Sequence, residues 1–318
     1  MSINEHNHPY MTIHDFHNHS HIGWDNSLKP ITEIDSGQVV SFEIIEASGS
    51  QFTKHSTVED VKKLDFSKVN PTVGPIYVKG AEPGDTLEVE MLDFQQLDWG
   101  WTALIPGFGL LADDFTEPAI KTFDLTRKNT TEFLDGIDLF IKPFPGTIGV
   151  ALPEDGLFNV VPPRKNGGNM DIRHLTKGAK LYLPVWVEGA LFSVGDTHAA
   201  QGDGEVCGTA IEASMEATMK FKLHKGKTIQ EPRFELSKAP IPEADSQGYF
   251  ATTAQGPDIF EASQNAIRYM IEYLSSEYKM SEEEAYMLCS TTVDLKINEI
   301  VNQPNFGVSA FLPKSIFK

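Results

Sequence analysis

The run 195–212, GDTHAAQGDGEVCGTAIE, gathers Asp196, His198, Asp203, Glu205, Cys207 and Glu212 and separates them with Gly195, Gly202, Gly204 and Gly208. Carboxylates, an imidazole and a thiol at this density form the donor set of a metal site, or of a nucleophile with its base. The glycines let the backbone take dihedrals that bring such groups close together. Asp196 and His198 are two apart, so an extended segment puts both on one face. That pair suits a zinc site with an open position, or a histidine base oriented by an acid. The plain alternative is a polar turn of solvated acids, and the density of functional groups argues against it.

The segment that follows supplies a frame. Over 212–223 the odd positions are Ala213, Met215, Ala217, Met219, Phe221 and Leu223, and polar residues fill the even ones. Strict alternation of this kind predicts a long strand with one dry face. Extended backward, the register puts Glu205 and Cys207 on the dry face and Glu212 on the wet one. A glutamate facing a core is costly unless paired or coordinating. A bulge at Gly208 would shift the register by one. Cys207 has two readings, a nucleophile or a small buried core thiol. The chain has no G-x-S-x-G elbow, no H-E-x-x-H, no Walker A and no glycine pattern opening a dinucleotide-binding helix.

The remaining elements must position these groups. Residues 36–47 (SGQVVSFEIIEA) and 83–94 (PGDTLEVEMLDF) share one pattern: a glycine turn, then a strand with glutamate at the same offset. The segments 74–80, 139–151 and 180–187 read as further short strands. The aromatic, glycine-rich run 99–115 has no clean period and reads as a pocket lining, a buried loop or a strand pair. PPRKNGGNMD at 162–171 is a loop by composition. Near the end, Asp258 and Ser281 each open a helical pattern, with glutamate three residues on, and Val293, Leu295 and Ile297 alternate as a strand. The fold class expected is mostly β: a β-sandwich-like core with mixed sheets and a smaller α+β portion holding two C-terminal helices. The expected division is an N-terminal sandwich-like domain over 1–125, a central β domain over 126–240 carrying the polar run, and the α+β portion over 241–318.

Near the start stand His6, His8, His14, His17, His19 and His21. A histidine-rich tract can bind metal or be a frayed terminus. His21 is set apart because the turn-like Gly23-Trp24-Asp25-Asn26 follows it. A net charge of −19 argues against nucleic acid and anionic membrane as partners. The two cysteines, Cys207 and Cys289, form no disulfide framework, and no signal peptide or long apolar run is evident. A cytoplasmic protein is the expectation.

These residues also resemble the acetamidase/formamidase family of amide hydrolases. The carriers are His21-x-x-Trp24-Asp25-Asn26-Ser27, GPIYVKGAEPGDTLEVEMLDF at 74–94, PGFGLLADDF at 106–115, PPRKNGGNMD at 162–171 and GDTHAAQGDGEVCGTAIEA at 195–213. The resemblance implies hydrolysis of short amides (formamide, acetamide) to ammonia and the acid by a mostly β subunit that forms a homo-oligomer. Three mechanisms stay open. In the first, His21, Asp196 and His198 hold a divalent ion, zinc before calcium, with Glu205 as ligand or base. Asp203 and Glu212 would then hold a second, harder cation such as calcium. In the second, Cys207 attacks the carbonyl with Glu205 or His198 as base. In the third, the chain is a non-enzymatic module that binds a small polar ligand beside a structural ion. Trp24, Gln201 and Phe108 are assigned to substrate binding.

Overall fold

The alternation over 212–223 becomes the strand Met215–His224, whose odd residues Met215, Ala217, Met219 and Phe221 are buried. It lies between the two segments that share a strand-entry pattern. Val39–Ile44 pairs antiparallel with one edge and Thr86–Gln96 with the other. The similar sequences therefore flank one central strand. The computed structural model describes residues 10–13, 19–236 and 242–318. His6, His8, His14 and His17 lie outside the described residues.

Two six-stranded sheets face each other. The first runs Tyr10–Ile13, Val39–Ile44, Met215–His224, Thr86–Gln96, Lys180–Pro184 and Arg233–Glu235. The second runs Gly167–Asn169, Phe144–Gly149, Phe192–His198, Thr72–Val78 and Ser20–His21, with Thr32–Ile34 joined parallel to Thr72–Val78. Each is mixed: Tyr10–Ile13 is parallel to Val39–Ile44, while the central pairs are antiparallel. Their inner faces close one core, in which Phe42 and Phe221 of the first sheet meet Phe192 of the second at 6.0 and 4.9 Å between ring centroids. The architecture is the expected mostly β sandwich. The sheets do not divide at residue 125, because each takes strands from both sides of it. Strand pairing between distant segments overrides position along the chain.

The C-terminal portion holds the sheet Tyr249–Gly256, Phe306–Pro313 and Asp294–Glu299 with the helices Ile259–Tyr278 and Glu282–Thr292. Asp258 caps the first helix by accepting from the Phe260 and Glu261 amides. Ser281 and Glu284 form the capping box of the second. A second core joins these helices to Phe133, Leu139, Val206, Cys207 and Ile211. Among the described residues no helix is long and apolar enough to cross a membrane.

Candidate active site

Phe192–His198 is an inner strand of the second sheet, between Phe144–Gly149 and Thr72–Val78. Beyond His198 the chain makes a loop and returns beside itself. The Ala199 amide donates to the Ile211 carbonyl at 2.8 Å, Ile211 to Ala200 at 2.9 Å and Ala213 to Thr197 at 2.9 Å. His198 and Glu212 thus stand opposite each other across the neck of the loop. The C-terminal portion pins the loop from outside. The Gly202 amide donates to the Ser290 carbonyl (2.8 Å), the Cys207 amide to Ser290 Oγ (3.1 Å) and the Leu295 amide to the Asp203 carbonyl (3.0 Å).

His198 is 0% exposed. Gln201 Nε2 donates to the Asp171 carbonyl at 2.8 Å, which fixes the amide orientation. Gln201 Oε1, 3.0 Å from His198 Nδ1, therefore accepts the Nδ1 proton. Nε2 is left facing Glu212 Oε2 at 3.1 Å, Asp196 Oδ1 at 3.2 Å and Glu205 Oε1 at 4.0 Å. The edge-on Phe144 ring, 5.0 Å away, closes another side. Gly146 is needed beneath: a Cβ there would lie 2.6 Å from Asp171 Oδ1 and 2.7 Å from His198 Cε1.

Further groups hold the acids. Asp196 Oδ2 accepts from Asn70 Nδ2 at 3.1 Å and lies 3.2 Å from the Thr147 hydroxyl. Glu212 Oε1 accepts from the Ala210 amide at 2.9 Å. Burial, with the Asp196 charge behind it, pushes the Glu212 carboxyl up to about 7. Burial and then Asp196 push Asp171 up to about 6. Burial and Asp171 drive Glu205 well above the usual carboxylate range. Burial works to lower the His198 imidazole, but Glu212 and Asp196 raise it well above 6.5.

Four carboxyls thus crowd one imidazole, and buried Glu212 Oε2 and Asp171 Oδ1 have no hydrogen-bond donor. A surplus of acceptors without donors is what a cation satisfies. Among the described residues, two donor sets have atoms within 4.8 Å of one another: Asp171, Asp196 and His198, and His198, Glu205 and Glu212. A cavity opens onto the same group, lined by Asn70, Asn169, Asp196, Glu205 and Glu212 on one side and by apolar residues including Phe108 on the other. Its free space, counted with the open solvent at its mouth, is about 520 Å³.

The structure therefore brings together Asp196, His198, Glu205 and Glu212, with Gln201 and Phe108 beside them, and places His21, Asp203, Cys207 and Trp24 elsewhere. His21 contacts the Gly23 carbonyl and Ser193 Oγ, each at 2.8 Å, and belongs to neither donor set. Asp203 belongs to neither donor set; it pairs with Arg173 at 3.5 Å and with His174 at 3.8 Å. Glu212 is buried, not solvated, because the regular strand begins only at Met215. Glu205 (φ 44°) and Gly208 (φ 90°) lie in the left-handed region, so strand parity does not run back through them. Cys207 is buried in the second core with its sulfur near the Ala103 and Thr209 carbonyls, and it does not line the cavity. Trp24 is buried against the Gly149 and Gly168 backbone. Gln201 orients His198, and Phe108 lines the cavity. Asp171, Asn70 and Thr147 were not singled out from the sequence. Asp171 closes the 162–171 loop at φ 49°, and that loop is the only local signal for it.

Comparison with known proteins gives a consistent result. The model of the Acetamidase/Formamidase family matches residues 7–160 and 154–318. A formamidase from Methylophilus methylotrophus is 28% identical, with 94% of this chain and 89% of that protein covered. The gamma lactamase from Delftia acidovorans superposes with a TM-score of 0.89 at 26% identity, covering 97% of this chain and 93% of the other. An acetamidase from Bacillus halodurans does so at 0.67 and 31% identity, covering 95% and 96%.

Proposed function

The chain belongs to the acetamidase/formamidase family and is an amidase, and from that premise we propose that it hydrolyses short linear amides, formamide and acetamide among them, to ammonia and the carboxylic acid with a divalent ion held around His198. The observation that supports the ion is the buried imidazole whose Nε2 faces Glu212, Asp196 and Glu205 while Nδ1 is committed to Gln201. An imidazole nitrogen with carboxylate oxygens suits zinc. Calcium, which takes about six to eight oxygens, would make no use of His198. The ligands would be His198 Nε2 with Glu212 and Glu205, or with Asp196 and Asp171. Bound there, such an ion supplies Lewis acidity toward the carbonyl oxygen and a water acidic enough to ionise near neutral pH.

The protein's own groups carry the rest. Glu205 lines the cavity, and burial and Asp171 raise its carboxyl well above the usual carboxylate range, which favours its taking up a proton. In the proposed cycle, with the ion on His198, Asp196 and Asp171, Glu205 takes a proton from the attacking water and returns it to the amide nitrogen. Water's oxygen bonds to the carbonyl carbon, the C–N bond breaks and ammonia leaves. Gln201 and Phe144 hold the imidazole ring, and Asn70 and Thr147 hold Asp196. The test is ammonia release from formamide and acetamide by protein of known metal content. Chelation should abolish turnover and added zinc restore it. Full activity in metal-free protein would remove the ion, and no turnover of either amide would remove the substrate.

A further inference from the structure

We propose that the preferred substrate carries an aliphatic acyl chain of several carbons, bound on an apolar wall that formamide would leave in water. This rests on the amidase site above and deepens it. Two kinds of residue line the cavity. Asp196, Glu205 and Glu212 are the acids beside His198. Leu64, Phe66, Val69, Trp101, Ile105 and Phe108 are apolar, with Leu64, Trp101 and Ile105 in one hydrophobic cluster and Phe66 packed on Phe108. The one polar atom of the Trp101 side chain donates to Glu46 at 2.8 Å, so the ring offers only carbon to the cavity.

Phe66 and Phe108 stay 52% and 38% exposed, although they pack edge to face at 6.4 Å. They come from separate places, the 3-10 turn Phe66–Lys68 and the turn after the strand Trp99–Leu104. The Phe108 ring lies against Gly208, where φ is +90° and a Cβ would come within 2.5 Å of the ring. Two large, partly exposed rings that line one cavity form a surface that a hydrocarbon chain would cover. With the amide group at the acids, the acyl carbons are the part of the substrate that reaches this wall. A formyl hydrogen covers none of it.

Each methylene buried there is worth about fourfold in kcat/KM. The experiment measures ammonia release from straight-chain primary amides, formamide to pentanamide. The expected result is a rise of about fourfold per carbon over the first few carbons. Phe66→Ala and Phe108→Ala should each lower the pentanamide-to-formamide ratio of kcat/KM by about tenfold, and Phe108→Leu should restore most of it. A ratio that is flat or falls with chain length while formamide is hydrolysed overturns the wall and leaves the amidase reading intact. If none of the amides is hydrolysed, that reading fails by itself. Calorimetric binding of the same series then decides: affinity that rises with chain length supports the wall, and flat or absent binding overturns it.

Discussion

At the scale of single residues the site is a problem in acceptors. His198 offers one lone pair at Nε2, and the ion-pair partners that face that atom among the described residues are the carboxyls of Asp196, Glu205 and Glu212. A proton or a cation must sit among them, and Gln201 decides which ring nitrogen is available. Gln201→Leu would leave both Nδ1 and the Asp171 carbonyl without their partner. We expect about a 10–100-fold loss of kcat/KM and of zinc affinity, as for other groups that orient metal ligands. Steady-state kinetics and a zinc titration check this; an unchanged affinity would count against His198 as a ligand. The same crowding sets a pH dependence. Glu212 and Asp171 are raised to about 7 and about 6, so between the ordinary carboxylate range and those values the folded apoprotein binds more protons than the unfolded chain. Its stability must therefore fall as pH rises through that window. His198, also raised, adds a fall of the same sign above 6.5. Zinc bound by these groups would replace those protons, so its gain in Tm should be larger at pH 8 than at pH 5.5, by thermal melts of chelator-treated protein. A gain independent of pH would argue against carboxylate ligands.

At the scale of elements, the site depends on one strand passing very close to another. Gly146 lies in Phe144–Gly149, directly against the Asp196–His198 end of its neighbour. Gly146→Ala would force a methyl group to within 2.9 Å of Asp171 Oδ1, His198 Cε1 and the Asp196 carbonyl. Overpacking of this kind costs about 1–3 kcal/mol, and the displaced imidazole should lose most of the activity. Gly256→Ala, where a Cβ meets nothing within 4 Å, is the matched control and should change stability by less than about 0.5 kcal/mol. Chemical melts with ammonia release compare the two. This element scale also shows what the sequence could convey. Alternation over 212–223 was legible because one face is dry along the whole strand. The helix caps were legible because the groups that make them lie within three residues of each other. Asp196, His198 and Glu205 could be named because their types stand close together along the chain. Parity sent Glu212 to solvent because the alternation counts it as part of a strand that begins only at Met215. Asp171 and Asn70 reach the site only through pairing between distant segments, and no local period records that.

At the scale of the whole molecule, the polar loop lies where two cores meet. The sandwich supplies the strand that ends at His198, and the C-terminal helices and sheet hold the loop that returns to Glu212. The chain as a whole carries a net charge of −19. A field of that sign draws cations toward acidic clefts and leaves neutral amides indifferent. The two ligands should therefore respond differently to salt. Screening shortens the reach of exposed charge to about 8 Å at physiological ionic strength and about 3 Å at 1 M. The rate at which zinc restores activity to chelator-treated protein should fall severalfold or more between low salt and 0.5 M sodium chloride. Over the same range KM for acetamide should stay within about twofold, because an uncharged substrate gains nothing from the field. Stopped-flow reactivation and steady-state kinetics measure both quantities on one preparation. If reactivation ignores salt, the ion does not enter through the acidic cleft. If KM rises with salt alongside it, the charge acts on the fold and not on the approach of the cation.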